Sequence, residues 1–473
     1  MEATTENQPR ISKKAHINLE EQCDPLTSLP EPLLHHILSY FTMKDAIRTS
    51  LLSKRWRYIW MYVLCLKFSP LKVSRSKEVE FINKSLLLHK GPVIQTFSLT
   101  FLQPDAEDHH VDSWIYFAKT RYVKELNLDF CYNHQGVQSV HLYRLPHFLH
   151  SSTSLTVLSL ARFCCHWEPR VHIQLWSLKS LSLECTLISC KTMNEILSGC
   201  PVLESLFLYR CCGFHKLDFT SRNLKNVVIE LDRDDSSRLQ VSCPYVTSLN
   251  ISGIERTDLY NMSSIVDAVL DVENGFFKCA RGEHRKVKML FEQLREAELF
   301  TLLNRAILVF TIWELIRSSC PSMNWRHLHL KMMMTKWHLP GVASLLRNCP
   351  DLEMLDIHIQ RFTNPFTVID DPWLKEYEID GENFWDIQRS SFHCLRSHLK
   401  IIRIRGFRIE SCAVKLVHFL LRKASVLEKL VIETNRVVYP HEENKFTSEK
   451  WKEFSEDIHS CPRASPQAVI LIR

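Results

Sequence analysis

Glycine is scarce, at 10 residues in 473, roughly a third of ordinary usage. Little material is left for the glycine-rich loops through which a backbone approaches phosphate, so nucleotide enzymes fit poorly. Long apolar runs are also missing. The longest, 306–316, holds 11 residues and includes Glu314, whereas a membrane-crossing helix needs about 20, and it reads as a buried helix. The charge is nearly balanced, with 59 Lys and Arg against 53 Asp and Glu, too dilute an excess to mark a nucleic-acid partner. No Cys-x-x-Cys pair, phosphate loop, Gly-x-Ser-x-Gly elbow, kinase signature or His-Glu-x-x-His helix occurs, so neither metal, cofactor nor catalytic residue is expected. The opening MEATTENQPRISKK has no apolar core and matches no secretory signal. The 17 cysteines therefore read as free thiols in a reducing compartment, cytoplasm or nucleus, with no membrane partner.

What is present is apolar: 45% of the chain, enough for a large core or a long repeat array. Residues 1–22 are polar, lack periodicity and read as a disordered tail. Beyond Asp24, Leu33, Leu34, Ile37, Leu38 and Phe41 recur at the spacing of one wide apolar helix face, with Pro30 and Pro32 at its start. Ala46, Ile47, Leu51 and Leu52 follow, then Trp56, Tyr58 and Trp60. Two or three short helices of this size bury little surface by themselves, which leaves apolar side chains for a partner.

In order and spacing, Asp24, Leu29-Pro30, Leu33-Leu34, Ile37-Leu38, Lys44-Asp45-Ala46, Arg48-Thr49-Ser50, Leu51-Leu52-Ser53 and Lys54-Arg55-Trp56 resemble the plant F-box. That resemblance implies docking of 24–67 on a Skp-type adaptor, and through it on cullin and RING subunits. The implied contacts are Leu29, Pro30, Leu33, Ile37 and Leu38, with Leu51 and Trp56 completing the module. One departure is that the family's Leu-Pro-Thr ahead of Lys-Asp is here Phe41-Thr42-Met43, which displaces the helix-capping threonine and predicts a weaker turn.

Further on, Leu-x-x-Leu-x-Leu segments recur: VKELNL (123–128), LTVLSL (155–160), LKSLSL (178–183), LESLFL (203–208), LKNVVI (224–229), VTSLNI (246–251), WRHLHL (325–330), LEMLDI (352–357), LKIIRI (399–404) and LEKLVI (427–432). Most steps lie within or near the leucine-rich period of about 20–29 residues. Weaker copies, IVDAVL (265–270) and LREAEL (294–299), divide the widest gap. Cys-Pro recurs at 200–201, 243–244, 320–321, 349–350 and 461–462, read as helix, Cys-Pro turn, strand, since proline stops the preceding helix. With Cys131 and Cys211, which complete the motif's polar-turn position, seven cysteines have structural explanations. The array resembles the leucine-rich repeats that follow plant F-boxes.

In such a solenoid the leucines point inward and the residues between them line a concave sheet, the default binding surface. These are Glu125, Asn127 and Asp129, Phe207 and Tyr209, Asn250, Glu296 and Glu298, His327 and His329, Asp356 and His358, and Arg403 and Arg405, acidic early and basic late. Phe207 and Tyr209 stand out as an aromatic anchor.

Near the C-terminus, Cys394-Leu395, Ser397-His398-Leu399-Lys400, Gly406-Phe407, Phe419-Leu420-Leu421 and Val426-Leu427-Glu428-Lys429 resemble the FBD module of plant F-box proteins. The expected architecture is α/β: a small all-α F-box at 23–69, a helical linker at 70–93, a solenoid with parallel concave sheet and outer helices at 94–380, and an FBD cap with terminal repeats at 381–473. The expected role is that of a non-catalytic substrate receptor in an SCF-type (Skp-cullin-F-box) ubiquitin ligase, binding a target protein on the concave face. A small-molecule hormone receptor of the F-box/leucine-rich-repeat type and a scaffold that does not ubiquitinate are the alternatives.

Overall fold

The computed structural model describes residues 29–71, 73–102, 109–131, 143, 145–162, 172–231, 238–272, 284–360, 377–388, 392–434 and 448–473. The tail expected at 1–22 lies outside them, as does Asp24. Helix α1 (Glu31–Leu38) has Pro30 as its N-cap and Pro32 in its first turn, where a missing N–H leaves no helical bond unmade. It buries Leu34 and Leu38, one turn apart. Helix α2 (Met43–Arg48) is capped by Thr42, whose hydroxyl accepts from the Asp45 amide at 3.3 Å and donates to the Asp45 carboxylate at 2.8 Å. The expected loss of the capping threonine is therefore corrected: Thr42 occupies the N-cap, and Met43 after it is buried in the small core. A 3-10 turn at Ile59–Tyr62 then leads directly into a strand.

That strand, β1 (Cys65–Phe68), opens a parallel sheet that continues through β2 (Thr96–Leu102), β3 (Glu125–Cys131), β4 (Val157–Ala161), β5 (Ser180–Glu184) and β6 (Ser205–Cys211). Strands β7 (Lys216–Asp218), β9 (Leu239–Ser242) and β11 (Thr257–Tyr260) form a separate small sheet. The main sheet passes through β8 (Asn226–Leu231), β10 (Ser248–Ser252), β12 (Asp267–Asp271), β13 (Leu299–Leu303), β14 (His327–Met332), β15 (Met354–Ile359), β16 (Ile401–Phe407), β17 (Lys429–Thr434) and β18 (Val469–Ile472). Among the described residues it has 15 strands, in chain order. The sheet thus begins at residue 65, ahead of the start expected near 94. The expected linker contains the first outer helix, α3 (Arg75–Leu88).

One ladder of side chains runs the length of the core: Leu126, Leu158, Leu181, Leu206, Val227, Leu249, Ala268, Phe300, Leu328, Leu355, Ile402 and Leu430 are register partners strand to strand. All are essentially inaccessible to solvent, and each large one contributes about 1.5–3 kcal/mol of burial, an upper bound given a compact unfolded chain. The copy at 294–299 sits three residues out of register. Leu294 and Ala297 are buried in the turn that leaves a helix, and the strand proper is LFTLL with Phe300 on the ladder, stacked on Trp325 at 3.6 Å between ring centres.

Helices α4 (His109–Thr120), α5 (Cys190–Gly199), α6 (His284–Gln293), α7 (Asn304–Leu315), α8 (Leu339–Asn348), α9 (His393–Ser397), α10 (Ser411–Lys423) and α11 (Ser448–Ser460) accompany the sheet. Helix α7 is the apolar run at 306–316 and is buried almost all round. Among the described residues no helix is long and apolar enough to cross a membrane. In the middle of the array the outer helices give way to β7, β9 and β11, whose burial alternates residue by residue. Repeats of about 20 residues leave too few between main-sheet strands for a packed helix, so a short extended segment covers the core instead.

The Cys-Pro pairs serve one end and differ in what precedes them. Cys200 and Cys349 are the C-caps of α5 and α8, and Cys461 directly follows α11. Cys243 instead follows strand β9. Burial pushes the Cys200, Cys243 and Cys320 thiols up to about 12 and that of Cys349 well above its usual range. They act as small apolar groups.

Candidate functional site

Two surfaces carry the candidate residues. The first is the outer side of the N-terminal helices. Successive residues on a helix lie about 100° apart, so the apolar stripe of α1 divides: Leu34 and Leu38 face inward, and the neighbouring stripe of Leu33 and Ile37 faces out. Leu33 is 48% exposed and Leu51 87% exposed, with Tyr40, Leu52 and Tyr58 also open to solvent. Pro30 is exposed and Leu29 half-buried, its carbonyl accepting from Arg55. Leu38 and Trp56 are corrected as contact residues: at 1% and 3% exposure they fill the module's own core. Their part is to hold α1 in place.

The second surface is the concave face. Its central row follows the sheet register through Asn127, Phe207, Asn250, His329, Asp356 and Arg403, and the next row through Tyr209, His358 and Arg405. His327 lies one row earlier, opposite Met354. Glu296 and Glu298 do not belong here. They precede β13 at the strand-entry rim, where with Asp351, Glu353 and Arg326 they line a cavity of about 700 Å³. Glu296 is held there by Asn324 at 2.9 Å and Arg295 at 3.0 Å.

Phe207 and Tyr209 stack at 6.3 Å with ring planes 14° apart. Tyr209 is flanked in register by Glu184 and Glu230, and Arg210 reaches across to Glu184. Burial first, then the two glutamates, pushes the Tyr209 hydroxyl up from its ordinary range, so it stays a neutral donor.

Asp356 differs most from expectation. Read as an exposed contact, it is only 5% exposed, because side chains from both neighbouring strands lie over it. His329 Nε2 is 3.1 Å from its Oδ2, Arg405 donates to both carboxylate oxygens at 3.2 and 2.7 Å, and Arg403 Nη1 stands 3.7 Å away. Burial pushes the carboxyl up, but the hydrogen bonds and charges of His329 and Arg405 outweigh it, and the net shift is downward. Beside it, burial and the positive field of Arg405 and Lys331 push the His358 imidazole down. The arrangement is a buried anion that fixes the positions of Arg405, Arg403 and His329. Nothing in one-dimensional spacing marks which charged residue of such a set will be the covered one.

The order of these parts also recurs in known proteins. Residues 26–68 match the F-box domain, residues 111–262 the leucine-rich repeats of FBD-associated F-box proteins (At5g56370), and residues 387–432 the FBD. An F-box/LRR-repeat protein of Arabidopsis thaliana, At5g02910, is 30% identical over 376 residues, covering 78% of this chain and 79% of that protein. A putative F-box/LRR-repeat protein of the same plant, At3g18150, is 31% identical over 73% of this chain and 74% of its own length. The putative F-box/LRR-repeat protein At5g02930 is 27% identical over 90% and 91%. The chain belongs to the F-box/LRR-repeat family and carries the F-box, repeat and FBD segments in that order.

Proposed function

We propose that this chain is the substrate-recognition subunit of an SCF-type E3 ubiquitin ligase. The F-box docks on a Skp-type adaptor, which brings cullin and RING subunits. The concave face of the repeats holds a target protein. No side chain here performs ubiquitin chemistry; transfer is accelerated by proximity, because a tethered target sees the charged ubiquitin carrier at high effective concentration.

The observation that carries this reading is the set of solvent-facing apolar side chains on a module of about 40 residues, Leu33, Leu51 and Leu52 foremost. So many large apolar side chains open to solvent on so small a module support an interaction surface there, and burying each in an interface contributes roughly 1.5–3 kcal/mol. Co-purification with a plant Skp-type adaptor tests it. The wild type is expected to bind, and Leu33→Asp/Leu51→Asp is expected to lose binding while remaining folded, since neither side chain belongs to the core. A folded wild-type chain that fails to capture the adaptor overturns the reading.

A further inference from the structure

The concave face is divided by charge along the array. Strands β5, β6, β8, β10 and β12 contribute fifteen concave positions in register, among them Glu184, Tyr209, Glu230, Asp267 and Asp271. Four of the fifteen are carboxylates and none is Lys, Arg or His, although Glu184 is paired with Arg210 beside the β6 register shift. Strands β14, β15 and β16 contribute nine such positions, of which three are Lys or Arg, three are His and a single one, Asp356, is acidic. That lone carboxylate is covered and already shared among His329, Arg403 and Arg405. It fixes the guanidinium groups without neutralising the patch. Arg403 keeps 40% of its side chain exposed, and Lys331 lies in register beside His358. The nearest carboxylate along the row is Glu433, on β17 opposite Arg405.

We propose that β14–β16 form the docking surface for an acidic, Asp- and Glu-rich segment of the target protein, and that the carboxylates of β5–β12 repel the same segment and so fix its place on the array. This deepens the assignment of the concave face to target binding and rests on it. Charge complementarity supplies both orientation and discrimination. Two side chains pre-set by a buried anion lose little freedom when they meet a carboxylate, which is where most of the cost of a surface ion pair otherwise lies.

The test uses the full-length chain and a display library of random twelve-residue peptides. Selected peptides are expected to be enriched in Asp and Glu, to weaken steeply with added salt, and to bind Lys331→Glu/Arg403→Glu about tenfold or more weakly than wild type. Arg405 is left intact because it holds Asp356, and circular dichroism of the variant checks its fold. Lys331→Met/Arg403→Gln is expected to lose affinity to a smaller extent. Glu230→Lys is expected to let the same peptides bind more broadly or more tightly.

Selected peptides without acidic character, or acidic peptides indifferent to both Lys331/Arg403 variants, overturn the charge assignment. If such peptides are lost on Phe207→Ala/Tyr209→Ala, concave-face recognition stands and only the acidic assignment falls. If no concave variant affects them, both fall. Failure to enrich any sequence likewise counts against the proposal.

Discussion

Arg405 meets Asp356 side-on from the neighbouring strand, its Nε donating to Oδ1 at 3.2 Å and its Nη2 to Oδ2 at 2.7 Å. Removing only the arginine leaves a buried carboxylate short of its main partner. Arg405→Leu is expected to destabilise the protein by about 2 kcal/mol, below the usual cost for a broken buried pair because Arg405 itself is about a third exposed. Asp356→Leu/Arg405→Leu is expected to recover most of that loss. Urea unfolding of the two variants decides it: equal destabilisation would show that the pair is not coupled.

The same carboxylate gives a pH signature. Its net shift is below the ordinary 3.8, so its contribution is present above that value and lost as pH falls through the lower, folded-state value. Asp356→Asn is expected to flatten the acid limb of the stability curve below about pH 3.8, seen by following unfolding midpoints from pH 5 to pH 2.

His338 acts in the same direction, over a higher pH window. It sits at the start of α8, 1% exposed, with Nδ1 at 2.8 Å from the Thr335 hydroxyl. Burial pushes its pKa down to about 4, against a smaller upward pull from the Asn304 backbone. Between the unfolded value of about 6.5 and 4 the unfolded chain binds the proton and the folded one does not, so stability falls as pH drops through that window, by roughly 3 kcal/mol in all. In His338→Asn the difference between urea midpoints at pH 7 and pH 4.5 is expected to shrink. An unchanged difference would assign the acid sensitivity elsewhere, His150 being next, also pushed down to about 4.

Thr42 makes a local prediction. Thr42→Ala is expected to cost the F-box about 1 kcal/mol and Thr42→Ser much less. Hydrogen exchange at the Asp45 amide, the group Thr42 accepts from, should accelerate in the alanine variant and stay slow in the serine one.

Gly406 shows where the rare glycines matter. Its φ is +68°, and a Cβ there would stand 2.4 Å from the Ile359 carbonyl oxygen of the adjacent strand. Gly406→Ala combines left-handed strain with a backbone clash and is expected to destabilise by about 2 kcal/mol or more. A thermal midpoint within error of wild type would contradict this account of the β15–β16 pairing.

The ladder from Leu126 to Leu430 was legible because inward leucines at a fixed period are a first-order consequence of stacking one unit on the next. The register of β13 was not: Leu294 and Ala297 are buried too, in a turn, and burial alone does not separate a turn from a strand. The three strands of the small separate sheet are not legible in the sequence, because runs of three or four residues, such as Lys216–Asp218, carry too little alternation to distinguish them from loop. On the site, the basic residues of the late strands could be read directly from the motif, whereas Glu184, Glu230, Asp267 and Asp271 lie outside the residues so read, and the covering of Asp356 depends on strands far apart in sequence closing over it. Leu38 and Trp56 are implied as partner contacts by the F-box resemblance, which carries residues over by sequence position and does not say which side chains the module buries itself.

The F-box runs into the array through a strand: β1 follows the Ile59–Tyr62 turn directly, the Lys90 amide donates to the Met61 carbonyl at 2.8 Å, and buried His89 donates through Nε2 to the Val63 carbonyl at 3.0 Å. Among the described residues these bonds tie the two parts together without a free joint, so the array would act as a ruler. Strands in a sheet are about 4.8 Å apart, and β15 is eleven steps from β1, so an acidic segment seated there would be held roughly 50 Å along the arc from the F-box end. Inserting or removing one repeat would shift that reach by a single strand spacing and rotate it by one increment of twist, so that under the proposed role the number of repeats, as much as the chemistry of the face, would set which lysines of a target come within range.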